Sequence, residues 1–202
     1  MKPAIWNDPE FKQAFLENER QVRIDTGKLA CALVVVLMPL GVLLDYAVYP
    51  DQVGYFFKLR LLCSALVGVI WLLHRTAWGR NHYEALGLPI VMLPAFFIAF
   101  MIFVTDGTSS PYYAGLNLIM LAVSAVGHWS FRDTMISVTS VILMYFGASY
   151  ANATNFEFSN FVNNLYFLAL TGIIVVTGNY LYNRLLFREF EVRFQLDKSR
   201  QM

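Results

Sequence analysis

The chain has 202 residues, a formal net charge of +1, 57% hydrophobic residues and only 14% charged ones. Ordinary soluble domains carry roughly 25% charged residues, and here long stretches carry none, which excludes a soluble domain. The near-neutral balance says nothing further about partners, and no nucleic acid is expected among them.

Apolar runs of about 18 residues or more read as membrane-spanning helices. Six are predicted: Leu29–Val48, Phe56–Leu73, Ala85–Thr105, Tyr112–Trp129, Met135–Tyr150 and Phe161–Leu181. The predicted fold is therefore all-α, a polytopic six-helix membrane bundle. It divides into a cytoplasmic amphipathic segment (1–28), the transmembrane domain (29–183) and the start of a cytoplasmic signalling helix (184–202). Of the 15 basic residues, all but Lys58 and Arg60 fall on one side of this topology. Positive residues favour the cytoplasmic side, so both termini are expected there, with the lipid bilayer as the surrounding partner. Residues 1–28 are too polar for the apolar region of a signal peptide.

In chain order, Asp8-Pro9 is a helix start, with Asp8 as cap and Pro9 at the first helical position. Phe11, Phe15 and Leu16 then line one face, predicting a short amphipathic helix on the inner membrane surface. Thr26-Gly27 is the expected bend into the first span. That span contains Pro39 and Gly41, a predicted kink. Asp45 closes it, and Lys58 and Arg60 open the second. These charges have two readings: the long side chains snorkel to the headgroups, or Asp45 and Arg60 pair at the rim of a pocket. Cys31 and Cys63 lie inside apolar spans without zinc-type spacing and read as small core residues.

The third span holds Pro89 and Pro94 and leaves through the turn dipeptide Asp106-Gly107. On the fourth, Tyr113, Asn117, Ser124 and His128 are spaced by four, seven and four, which places them on one helical face. Polar groups in a membrane helix face the bundle interior because an unsatisfied one in hydrocarbon is costly. Helix–helix hydrogen bonding and a ligand pocket both explain such a stripe. The fifth span carries Ser137, Thr139 and Ser140, small polar residues of helix contacts. The sixth runs through Asn163, Asn164, Tyr166, Gly172 and Gly178 into a charged extension without a break. There Phe187, Phe190 and Phe194 form a coiled-coil-like stripe, read as a parallel homodimer contact.

No phosphate loop, nucleophile elbow or paired carboxylates appear, so the segment is not expected to be an enzyme. No cofactor is expected. The weighed alternative is one haem b between His74 and His128, since membrane cytochromes use paired histidines; with His82, the chain has three histidines, too few for two bis-histidine haems. A small-solute transporter is a further alternative, but no ionisable residue falls securely at mid-depth.

The segment Ser109-Ser110-Pro111-Tyr112-Tyr113-Ala114-Gly115-Leu116-Asn117-Leu118, with Asn163-Asn164-Leu165-Tyr166-Phe167 and Gly178-Asn179-Tyr180 leading to Arg188-Glu189-Phe190, resembles six-span sensor domains of bacterial signalling proteins. These anchor sensor histidine kinases, including quorum-sensing kinases for α-hydroxyketone autoinducers, and class III adenylate cyclases. The resemblance implies a bacterial inner-membrane sensory domain of a two-component or cyclase system. It also implies that the sixth helix drives a cytoplasmic effector lying beyond Met202. The expected ligand is small and lipophilic, in an outer-half cavity near Tyr113, Asn117, Asn163 and Tyr166, with Asp45 and Arg60 at the rim. Those site residues come from the polar pattern; the resemblance does not assign them.

Overall fold

The computed structural model describes residues 8–126, 129–152 and 156–200. Every regular element among them is helical: α1 (Pro9–Leu40), α2 (Val42–Val48), α3 (Val53–Arg75), α4 (Ala77–Asn81), α5 (Tyr83–Val104), α6 (Tyr113–Val126), α7 (Phe131–Ala151) and α8 (Phe158–Arg200), with two single 3₁₀ turns at Pro50–Gln52 and Gly107–Ser109. Five of these segments are long and apolar enough to cross a bilayer, counting α1 and α2 as one. Of the fourth expected span, Tyr112–Trp129, the described helical part is α6, and residues 127–128 lie outside the described residues. Helix α6 has 14 residues, about 21 Å against a hydrocarbon core of about 30 Å. So the structure supports a multi-pass all-helical membrane protein with five spanning helices and one short apolar one.

Local chemistry sets the boundaries. The Asp8 carboxylate accepts from the Glu10 amide at 3.0 Å, with Pro9 in the first turn, as the sequence predicts. The expected bend at Thr26-Gly27 does not form. Helix α1 runs straight through it because Thr26 returns its hydroxyl to the Val22 carbonyl at 2.8 Å and breaks nothing. Gly27 instead lets α1 approach α3: a Cβ there would sit 2.9 Å from His74 Nε2. The expected kink does occur. Helix α1 stops at Leu40 and α2 restarts at Val42, with the Gly41 amide shared between the Leu37 and Met38 carbonyls at 3.2 Å each.

Helix α5 is the hub, packing on α1, α3, α6 and α7, while α8 packs on α6 and α7. Its sequence is apolar all round, which suits a helix surrounded by others. The core gathers Phe56, Val67, Ile90, Met101, Leu116, Val141, Tyr145, Leu168 and Val175.

One end of the bundle, the loop end, carries the 49–52 and 105–112 connections. Asparagines tie it together: Asn164 donates to the Thr108 carbonyl at 2.9 Å and Asn152 to the Thr105 carbonyl at 2.7 Å. Gly107, at φ +56°, makes the turn they hold. The other end, the terminal end, carries the start of α1 and the last turns of α8. There Arg20 reaches Asn81 Oδ1 at 3.2 Å and Arg23 approaches Asp133 at 3.6 Å, tying α1 to α4 and α7.

Candidate functional site: a buried charge pair beside an apolar cavity

A cavity of about 290 Å³ lies between α1, α2, α3, α5 and α6. Leu33 and Leu37 of α1, Pro94 and Ile98 of α5, and Gly115 and Ala122 of α6 form its apolar walls. Toward the loop end it meets Arg60 and Tyr112, and Trp129 also lines it. Proline and glycine make the space: Pro94 has no amide hydrogen to satisfy, and Gly115 presents only backbone beside Ile98.

Arg60 is the polar feature of this cavity. It sits seven residues into α3, about two turns from the 49–52 connection. Its Nε and Nη2 donate to Asp45 Oδ2 and Oδ1, each at 2.7 Å. Of the two readings of these charges, pairing is the one realised. Asp45 is 0% exposed and Arg60 5%. Tyr112 donates its hydroxyl to Asp45 Oδ1 at 2.7 Å, and its ring lies 5.8 Å from the guanidinium carbon. Phe56 and Tyr49 pack on the Tyr112 ring, at 5.6 and 5.5 Å between centroids. Tyr49 in turn donates to Asp106 at 2.6 Å.

This arrangement needs the kink. Arg60 Nη1 donates to the Met38 carbonyl, at 3.4 Å the longest bond of the set. A Cβ on Gly41 would fall 2.2 Å from that same nitrogen. An arginine has five N–H donors; these three bonds, with the Tyr112 oxygen as a further partner of the guanidinium, leave at most one. The pair is formally neutral, so the cavity's polar end offers at most one spare hydrogen-bond donor without net charge.

The other predicted site residues lie elsewhere. Tyr113 and Asn117 are half-buried on α6 and do not line the cavity. Asn117 Oδ1 is buried without a hydrogen-bond partner among the described residues. Ser124 faces α8, 3.3 Å from where a Cβ on Gly178 would sit. Asn163 is exposed and Tyr166 is 60% exposed, so neither faces the cavity. One residue of helical phase, about 100°, separates Asn163 from the buried Asn164 and Tyr113 from Tyr112.

Sequence reasoning missed Tyr112 because it precedes the first turn of α6, where helical phase cannot be read. His74 is buried, donates Nδ1 to the Ile70 carbonyl at 3.0 Å and turns Nε2 toward Gly27. The space beside it is about 40 Å³, room for about three waters and too small for a porphyrin. His128, the other weighed haem ligand, lies outside the described residues.

The phenylalanine stripe is occupied within the chain. Phe11, 0% exposed, meets Phe187, Phe190 and Phe194 edge-on at 5.8, 5.6 and 5.3 Å. Phe15 meets Phe187 and Phe190 at 5.3 Å each. Lys198 closes the cage on Asp8 at 3.1 Å, and its ammonium holds the Asp8 carboxyl below its ordinary value near 3.8. The face expected to meet a second copy is thus the face that holds the N-terminal helix, and the expected surface-lying helix instead packs on α8. A stripe shows that a partner is needed; it does not say which one.

No curated protein and no solved structure matches the chain. A family model does, over residues 43–197, which include Asp45, Arg60, Tyr112 and the phenylalanine stripe. With more than half of its length so matched, the chain belongs to the MASE8 family, a family of membrane-associated sensor-type domains.

Proposed function

We propose that this chain is the sensory membrane domain of a bacterial inner-membrane signalling protein, with both termini cytoplasmic. Its ligand is a small, neutral, lipophilic molecule with one hydrogen-bond acceptor, such as a ketone oxygen. Its output is a cytoplasmic effector, a histidine kinase or adenylate cyclase, following α8. The observation that carries this reading is Arg60, buried and paired at the end of an apolar cavity, its Nη1 held only by a 3.4 Å bond to the Met38 carbonyl.

The chemistry selects the ligand class. A carboxylate would bring a net negative charge into a dry site already neutralised by Asp45, and burying an uncompensated charge is costly. A cation would meet the guanidinium. A carbonyl oxygen accepts from Nη1 and adds no charge, while an alkyl chain covers Leu33, Leu37 and Ile98. The volume of about 290 Å³ lies at the lower end of ligand pockets, roughly 300–1,000 Å³, which fits a medium-length chain. Since the stripe on α8 is already packed against α1, a homodimer through that face is not part of the reading.

The test is thermal stability of the chain in lipid nanodiscs with 2-dodecanone, dodecane or dodecanoate. At 100 times its dissociation constant a ligand adds about 2.7 kcal/mol. The ketone is expected to stabilise the chain more than either comparator, and Ala122→Phe, which fills the cavity, abolishes the difference. Equal stabilisation by ketone and alkane, or an effect that survives Ala122→Phe, sinks the assignment.

A further inference from the structure

The cavity and the C-terminal helix do not touch. No described residue of α8 lines the cavity. Among the described residues three segments reach both: Trp129, which lines the cavity and whose carbonyl accepts from Asn183 Nδ2 of α8 at 2.9 Å, and helices α6 and α1. Helix α6 lines the cavity and packs on α8 within the bundle, where Ser124 faces Gly178. Helix α1 lines the cavity with Leu33 and Leu37 and, at its other end, buries Phe11 among Phe187, Phe190 and Phe194. It is one uninterrupted helix of 32 residues, about 48 Å long, and all of it precedes the family match that begins at residue 43.

We propose that α1, not α8, carries the response from the cavity, acting as a rod that moves the C-terminal extension through its phenylalanine cage. This rests on the ligand reading above. Three features of α1 suit the role. At the cavity end it terminates in the Pro39–Gly41 hinge, and its last tie to the polar site is the 3.4 Å bond from Arg60 to the Met38 carbonyl. A ligand oxygen that takes over this N–H releases α1 without breaking the shorter bonds to Asp45. In the middle, Gly27 lets the α1 backbone pass close to His74 of α3, where a Cβ would sit 2.9 Å from Nε2. At the far end the stripe and the Asp8–Lys198 pair grip α8 beyond its bundle contacts. The ties of Arg20 to Asn81 and of Arg23 to Asp133, at 3.2 and 3.6 Å, are long flexible side chains that follow a small shift. Helix shifts at packed interfaces run to about 1–2 Å.

The experiment is a spin-label distance between Ala85→Cys at the start of α5 and Val192→Cys on α8, both exposed positions, in a Cys31→Ala/Cys63→Ala chain in nanodiscs. The inputs are 2-dodecanone and, independently of any ligand, the cavity-filling changes Ala122→Phe and Gly115→Leu. We expect each input to shift the mean distance by about 2 Å. Phe11→Ala/Phe15→Ala is expected to abolish the shift while 2-dodecanone still stabilises the chain, and Phe187→Ala, breaking the cage from the α8 side, to do the same. A shift that survives these cage variants assigns transmission to α6 or to the Trp129–Asn183 contact and overturns the proposal. No shift from any of the three inputs also overturns it. If the ketone does not bind but the cavity-filling changes give a cage-dependent shift, the ligand reading fails and the rod stands.

Discussion

The two ends of α1 contrast. At the loop end an aspartate and an arginine are sealed inside the bundle, sharing two 2.7 Å bonds and a tyrosine hydroxyl. At the terminal end a phenylalanine is sealed beyond the apolar spans, inside a cage of other phenylalanines. Charge sits where the surroundings are dry, and aromatic rings sit on helical extensions rich in charge. Each is stable only because its partners came with it. The lesson is that burial follows pairing: a charge pair brings its own counter-charge, and a ring cage brings its own apolar wall.

The contrast breaks most visibly at Arg60. Removing one member of a buried pair costs about 3–5 kcal/mol because the other charge is left unpaired. Arg60→Met should lose that much in reversible unfolding from mixed micelles, and Asp45→Asn/Arg60→Met should lose clearly less. Equal losses would mean that leaving Asp45 without its partner carries no penalty. Phe11→Ala should come next, at about 3 kcal/mol for a buried ring, but confined to the two extensions. Amide exchange over residues 187–194 should speed up by on the order of 100-fold, with residues 56–67 unchanged. A global loss instead would mean that the cage supports the whole bundle.

Neighbouring tyrosines sharpen the loop-end side. Tyr112→Phe removes a hydrogen bond to a buried carboxylate and should cost about 2 kcal/mol. Tyr113→Phe should stay within about 0.5 kcal/mol in the same unfolding assay. The smallest effect concerns Asp8. Lys198 lowers its pKa below the ordinary 3.8, so its stabilisation is present above that value and is lost as pH falls through the folded-state value. Cage closure, followed by fluorine NMR of labelled phenylalanines, should therefore loosen only below about pH 3.8, and Lys198→Ala should remove that step.

Much of this was legible from residue type and order. Long apolar runs needed no tertiary context, since hydrocarbon demands internally satisfied backbone. Pro39 and Gly41 marked the kink because their backbone limits are local. Asp45 and Arg60 could be read as a pair but equally as snorkelling charges, because sequence carries no depth. Phase was harder. Tyr112 and Asn164 make buried hydrogen bonds, whereas Tyr113 and Asn163, the neighbours expected at a ligand pocket, do not line the cavity. Thr26-Gly27 looked like a bend, yet the helix continued because packing of α1 on α3 outweighs one glycine's weak preference.

By itself, then, the sequence determined the membrane class, the helical elements, the hinge, and which residues must find partners in order to be buried. Only the tertiary structure decided who those partners are. It set Arg60 and Tyr112 on Asp45, kept Tyr113 and Asn117 off the cavity, and gave the α8 stripe to Phe11 and Phe15 of the same chain. The reason is physical. Hydrophobicity and backbone preference are properties of single residues, whereas a hydrogen bond or a ring contact is a property of two, brought together by helices that pack from opposite ends of the chain.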